Sequence, residues 1–162
     1  MENRRGMLKA ALQVGSALLI SSATARAASG GRYEVTKSDA EWRRILTPDQ
    51  YYVLRGHGTE YSGSSPLDRE KRKGIFHCAA CDLALYSSEA KFDSGTGWPS
   101  FWQPLPHAIG TSDDRSLFSV RTEVHCRRCG GHLGHVFNDG PAPTGLRYCM
   151  NGVAMKFKPA QG

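Results

Sequence analysis

No stretch of these 162 residues stays apolar for long enough to cross a bilayer. The longest candidate, Ala10 to Ile20, would form a helix of roughly 17 Å against a hydrocarbon core of about 30 Å, which disfavours a permanent membrane anchor. Charge of one sign is scarce as well. The net charge is +6, but Arg4, Arg5, Lys9 and Arg26 against Glu2 supply +3 of it, leaving +3 for everything after residue 27. No stripe of clustered Lys and Arg accompanies that mild excess, so nucleic acid is not an expected partner. Arg69 with Lys71–Lys73 reads as a solvated loop. Internal repeats are absent apart from two Cys-x-x-Cys elements, and neither sits in a βαβ pattern, which argues against a thioredoxin-type redox pair. At 40% hydrophobic and 22% charged residues, the chain suits one globular domain with a real core and is short for two.

The first residues follow a pattern of their own: NRRGMLK, then AALQVGSALLI, then the small-residue box ATARAA. This resembles a twin-arginine export signal, with cleavage after Ala25-Arg26-Ala27. The competing reading is a disordered tail or a surface amphipathic helix. The expected organisation is an export leader over 1–27, a flexible lead over 28–37 and a single domain over 38–162. Such a leader implies export to a bacterial periplasm or cell envelope.

Within the domain, SDAEWRRIL starts with Ser38 and has Glu41 three residues on, a capping box that predicts a short helix. TPDQYYVLR places Thr47 and Pro48 where a second helix would start. GHGTEYSGSSP then reads as a loop. From Gly74 onward, short runs such as GIFHC, LALYS, LFSVRTEVHC, LGHVF and RYCMNGVAMKFK alternate with Gly, Pro, Asp and Ser clusters, which predicts antiparallel strands. SVRTEV alternates as a half-buried strand would, with Val120, Thr122 and Val124 on one side and Arg121 and Glu123 on the other.

The chain has five cysteines. Four form two knuckles, Cys78 with Cys81 and Cys126 with Cys129. Each knuckle aims two thiolates at one tetrahedral centre about 2.3 Å away, and two knuckles close a structural zinc shell with no open position. The 44 residues between them exceed the ribbon spacing of roughly 15–20, so the metal would staple two distant hairpins. Two disulfides are the competing reading, which an oxidising compartment favours. Two-residue loops make poor disulfides within a knuckle, while crossed pairing between knuckles stays open. A twin-arginine route carries folded proteins, so zinc can be loaded before export.

Cys149, in GLRYCMNG, is then left over. It reads either as a small buried hydrophobe or as a reactive thiol. On a strand, Arg147 and Asn151 share its face, and an inert core cysteine rarely sits beside a guanidinium and an amide. A thiol of ordinary pKa is only about 3% ionised at neutral pH, so a cationic neighbour would raise the nucleophile fraction. His132 and His135, in CGGHLGHVFNDGP, add donors that titrate near neutrality.

KFDSGTGWPSF, GGHLGHVF and RYCMN, together with the two knuckles, resemble the B-type methionine sulfoxide reductases, the peptide-methionine (R)-S-oxide reductases, over about Ser38 to Pro159. The resemblance implies a mainly β fold of antiparallel sheets packed on each other, stapled by one structural Zn2+ and preceded by short N-terminal helices. It implies that Cys149 attacks the sulfoxide sulfur and becomes a sulfenic acid, releasing methionine. The sulfoxide oxygen must gain protons to leave, for which His132 or His135 is the expected donor. Trp98 would receive the substrate's methyl group, worth about 0.8 kcal/mol. Epimer choice would then rest on polar groups, with Asn151, Arg147 and the histidines as candidates. Phe137 is a further candidate for the substrate pocket, and Asp139 for orienting a histidine or Arg147. Family members often carry a resolving cysteine where this chain has Thr96, so the sulfenic acid here is expected to be reduced by an outside thiol, from a thioredoxin-like protein or a small molecule. Oxidised proteins are the expected substrates and a monomer the expected state.

Two other classes compete. A zinc-stapled binding module would use Trp98, Phe101 and Trp102 as a contact surface. A different thiol enzyme on a related scaffold, such as a glutathione-adduct lyase, would leave Arg147, Cys149 and Asn151 without a shared role.

Overall fold

The computed structural model describes residues 33–116 and 119–161; the expected leader and the start of the flexible lead lie outside them. Helix α1 (Asp39–Ile45) and helix α2 (Pro48–Leu54) open the domain. Ser38 and Glu41 form one capping box, Thr47 and Gln50 another, and Pro48 takes the first-turn position where its missing N–H costs nothing. Trp42, Val53 and Leu54 are the buried residues of these helices.

Nine strands follow among the described residues: β1 (Gly74–Cys78), β2 (Ala84–Ser87), β3 (Lys91–Phe92), β4 (Ser100–Phe101), β5 (Ile109–Asp114), β6 (Arg121–Cys126), β7 (His132–Phe137), β8 (Arg147–Met150) and β9 (Met155–Pro159). They form a three-stranded sheet in the order β2-β1-β9 and a six-stranded sheet in the order β3-β4-β8-β7-β6-β5. Every pairing is antiparallel.

RYCMNGVAMKFK does not form one strand. β8 belongs to the large sheet and β9 to the small one, and a 3-10 turn over Gly152–Ala154 makes the transfer. β5 escapes the sequence pattern because IGTSDD is polar; it is the edge of the large sheet, where only one side needs a partner.

Aromatic side chains from both sheets meet in the core. Phe101 of β4 stacks on Tyr86 of β2 at 4.3 Å between centroids and meets Phe76 of β1 edge-on at 5.0 Å. All three are fully buried, each contributing about 1.5–3 kcal/mol of apolar transfer. Phe101 therefore belongs to the core and not to a contact surface. The Tyr86 hydroxyl, also buried, donates to the Met150 sulfur at 3.1 Å, fixing the end of β8.

The alternation expected for SVRTEV fails. Thr122 is exposed, Val120 is exposed, and Glu123 is buried at 7%. An acid takes an inward position because basic and hydroxyl groups await it there.

Candidate functional site

The two knuckles come together. Cys78 ends β1, Cys126 ends β6, and Cys81 and Cys129 lie in the turns that follow. The Cys78 and Cys129 sulfurs are 3.7 Å apart and those of Cys81 and Cys126 are 3.5 Å apart. A tetrahedron of 2.3 Å zinc–sulfur bonds has edges of about 3.8 Å, so the four thiols fit zinc with little movement. All five cysteines are free thiols, and the ligand atoms of the four lie within 4.8 Å of one another, an arrangement that suits a metal rather than two crossed disulfides. When bound, zinc supplies a cross-link between the small sheet and the large one.

Cys149 stands mid-strand on β8, opposite Ser100 of β4 on one side and His135 of β7 on the other. His135 in turn faces Glu123 of β6, and Glu123 faces Ser112 of β5. Residues directly opposite across strands share a face with Cβ atoms about 4.5–5.5 Å apart. One row therefore crosses the sheet: Ser112, Glu123, His135, Cys149, Ser100. Arg147 faces Phe137 two positions along on the same face, and its guanidinium lies 4.5 Å from the Phe137 ring centroid.

His132 should by alternation point away from His135, three residues on. A register shift opposite Val124 and His125 removes the conflict: Val124 faces Gly134 and His125 faces His132, so Leu133 is the extra residue on β7. The two imidazoles then meet edge-on at 5.4 Å. Gly134 belongs to the same distortion, since a Cβ there would stand 2.1 Å from the Cys149 carbonyl oxygen.

Each histidine is held by a carboxylate. His132 Nδ1 lies 2.8 Å from Glu123, whose carboxylate also takes a hydrogen bond from the Ser112 hydroxyl and lies 3.3 Å from His57 and 3.5 Å from His125. Burial raises the Glu123 carboxyl, but hydrogen bonds from His125, His132 and Ser112 outweigh it and hold it well below the usual carboxylate range. An ionised Glu123 makes Nδ1 of His132 the protonated nitrogen. The other ring nitrogen, Nε2, is buried with no partner among the described residues. His135 Nε2 lies 2.7 Å from Asp114, which is itself 2.6 Å from Arg121. Burial lowers His135, with the charges of Arg121 and His132 adding to it and the Asp114 bond opposing it.

Arg147 is gripped by both oxygens of Asp139 at 2.8 Å each. The Cys149 thiol departs from the sequence expectation. Burial raises it, and the Arg147 charge with hydrogen bonds from Thr96 and Arg147 only partly offsets the rise. The guanidinium does favour the thiolate, but its charge is shared with Asp139.

Asn151 does not extend the Arg147–Cys149 face, because β8 ends at Met150. Its amide is 3% exposed, donates to the Leu133 carbonyl at 3.0 Å and accepts from the Glu60 N–H at 2.9 Å. It ties the exit of β8 to β7. Trp98 is half-buried two residues before Ser100, in a turn where Gly95 and Gly97 take φ of 70° and 81°, and its indole N–H donates to the Glu60 carbonyl at 3.2 Å.

Residues 46–159 match the model of the SelR domain. This chain belongs to the SelR family. A relative from Agrobacterium fabrum, named peptide methionine sulfoxide reductase MsrB, is 54% identical over 127 residues, 78% of this chain and 94% of its own length. Proteins of the same name from Leptospira interrogans and Pseudomonas putida are 52% identical over 127 residues and 51% identical over 130, covering 97% and 98% of their own lengths.

His57, Asp114 and Glu123 escaped the sequence reading. Glu123 carried no reliable signal: a regular hairpin about CRRCGG would set it against Gly134, and only the extra residue at Leu133 brings it opposite His135.

Proposed function

We propose that the protein reduces methionine-(R)-sulfoxide, in proteins or free, to methionine. The observation that carries the reading is the row that sets Cys149 beside His135, next to a His132 whose Nε2 is buried and unpartnered among the described residues. A buried polar atom without a partner marks a place reserved for one, and the oxygen of a sulfoxide fits it.

In the cycle, Cys149 sulfur attacks the sulfoxide sulfur, the S–O bond breaks, and the oxygen passes to the cysteine: thiol plus sulfoxide gives sulfenic acid plus thioether. No net proton is consumed. The thiol loses its proton to the imidazole beside it, and an imidazolium returns one to the oxygen, while Glu123 holds the His132 ring by its Nδ1. The raised thiol is compatible with this order, because the proton leaves as attack begins. Phe137 and Trp98 are the apolar side chains assigned to the substrate, Trp98 receives its methyl, and Asp139 orients Arg147 against the thiol.

Four cysteines belong to the metal and Thr96 occupies the loop beside Cys149, so a second thiol comes from outside, as a thioredoxin-like protein or a small thiol. It condenses with the sulfenic acid, losing water, and a further thiol releases Cys149 from the mixed disulfide. Residues 1–27 act as a twin-arginine-type leader that delivers a folded, zinc-loaded monomer to the cell envelope, where oxidised proteins are its substrates. The two arginines, the apolar run and the small-residue box support that destination.

An epimer-resolved turnover assay with intact-mass analysis tests the reaction. Consumption of the R epimer alone is expected, with one oxygen atom gained by the protein after a single turnover without reductant. Equal use of both epimers, or full turnover by Cys149→Ser, defeats the reading.

A further inference from the structure

The loop between α2 and β1 runs against three separate parts of the site. His57, in a left-handed conformation at φ 56°, lays its ring 5.0 Å from that of His132. Ser62 donates through its hydroxyl to the Thr96 carbonyl at 2.8 Å, and the Gly63 N–H donates to the Gly97 carbonyl at 2.7 Å. Between these contacts lies Glu60, which joins the other two parts of the site to each other.

Glu60 uses both carboxylate oxygens as acceptors, one from the Gly152 N–H at 2.6 Å and one from the Val153 N–H at 2.9 Å. Its own N–H donates to the Asn151 side chain at 2.9 Å, and its carbonyl accepts from the Trp98 indole at 3.2 Å. Four hydrogen bonds thus connect one residue to the turn leaving β8, two to four positions after Cys149, and to the indole that faces substrate. The carboxylate is half-buried in a place that disfavours its charge: burial raises its pKa despite the two amide bonds, and Asp68 adds to the rise. A group kept where its charge is disfavoured is better explained by geometry than by stability.

We propose that Glu60 is a positioning residue that sets the Trp98 indole at a fixed distance from Cys149. The proposal rests on the reductase reading, in which Trp98 receives the substrate methyl. Van der Waals attraction falls steeply with a gap of 0.5–1 Å, so an indole released from its anchor loses the methyl contact while the thiol, held by β4 and β7, keeps its place. Substrate recognition then suffers and thiol reactivity does not.

The test uses the full chain with 5-fluorotryptophan incorporated, the Trp98 resonance being assigned through Trp98→Phe. Glu60→Ala removes both acceptors, and Glu60→Gln keeps the shape and one acceptor should the alanine variant fail to fold. Both are expected to raise KM for a methionine-(R)-sulfoxide peptide about fivefold, roughly 1 kcal/mol, to leave kcat within about twofold, to move the Trp98 fluorine resonance, and to leave the rate of Cys149 alkylation unchanged. An unmoved resonance with unchanged KM overturns the proposal, as does an equal loss of kcat and alkylation rate with a lowered unfolding midpoint, the mark of a merely structural residue. Absence of sulfoxide reduction in the unsubstituted protein would sink the reductase reading instead, and the fluorine resonance still reports whether Glu60 holds the indole.

Discussion

Replacing Arg147 by methionine removes the cation beside Cys149 while leaving an apolar stem over Phe137. Arg147 lowers the thiol both by charge and by hydrogen bonding, so its loss must raise a thiol that burial has already raised. A hydrogen bond to a charged partner contributes about 1.5–3 kcal/mol, which is roughly a ten- to hundredfold change in an equilibrium. Arg147 is bidentate on Asp139, so part of its charge is neutralised and the lower end applies. The thiolate fraction should fall about tenfold at any pH below the titration midpoint. Asp139→Asn acts in the opposite direction, because the Asp139 charge raises Cys149 and its removal leaves Arg147 uncompensated. The assay is the pH profile of alkylation by iodoacetamide, with intact mass counting a single adduct so that zinc-bound thiolates do not contribute. A midpoint that stays put or drops in Arg147→Met, or one that rises in Asp139→Asn, refutes this account of the thiol.

Two further substitutions probe the row. Gly134→Ala places a methyl 2.1 Å from the Cys149 carbonyl, backbone against backbone, so β7 must part from β8; a loss of about 1–3 kcal/mol is expected, with turnover falling further than Tm, and calorimetry beside an activity assay would expose an error if both stayed at the unsubstituted level. The Thr96 side chain is close enough to the Cys149 thiol to lower it, so Thr96→Cys should yield an intramolecular disulfide after one turnover, seen as loss of one water from the sulfenic acid mass; a sulfenic acid that persists in that variant would show the two positions to be out of reach.

The metal centre was legible because Cys-x-x-Cys is a local geometry: two residues close a turn whatever surrounds it. Cys149 was legible by exclusion, once four thiols were assigned, and the short helices by their capping boxes. The same-face argument for Asn151 failed because it assumed that a strand continues, whereas β8 stops at Met150 and the chain changes sheets. Glu123, Asp114, His57 and Glu60 depend on cross-strand register and on contacts across 9, 21, 75 and 38 or more residues respectively. A lone acid in a polar stretch carries no local mark of the imidazole it will meet. His132 and His135 were named for their chemistry, but a three-residue spacing on a regular strand would have turned them apart. Only the extra residue at Leu133 makes the pair possible.

The change of sheets also sets the four metal-site thiols on both flanks of the row that carries Cys149. Cys78 faces Met155, the first residue of β9, and the Ala79 N–H donates to the Ala154 carbonyl at 2.9 Å, so the zinc-bound end of β1 grips the chain a few residues after Cys149. On the other side, Cys126 ends β6 three residues beyond Glu123, and the Cys126 N–H donates to the Gly131 carbonyl, next to His132. Zinc at the four thiols therefore fixes both flanks of the row that crosses β6, β7 and β8. Structural zinc in small domains contributes about 10–16 kcal/mol of apparent binding energy, as much as the whole stability of about 5–15 kcal/mol expected for a domain. Stripping it with a chelator, or Cys126→Ser, should abolish the cooperative unfolding transition and turnover together, with both returning when zinc is restored to the stripped protein. Circular dichroism recorded beside the activity assay decides the matter: an intact transition with no turnover would make the metal a participant in the chemistry, and undiminished turnover would make it dispensable.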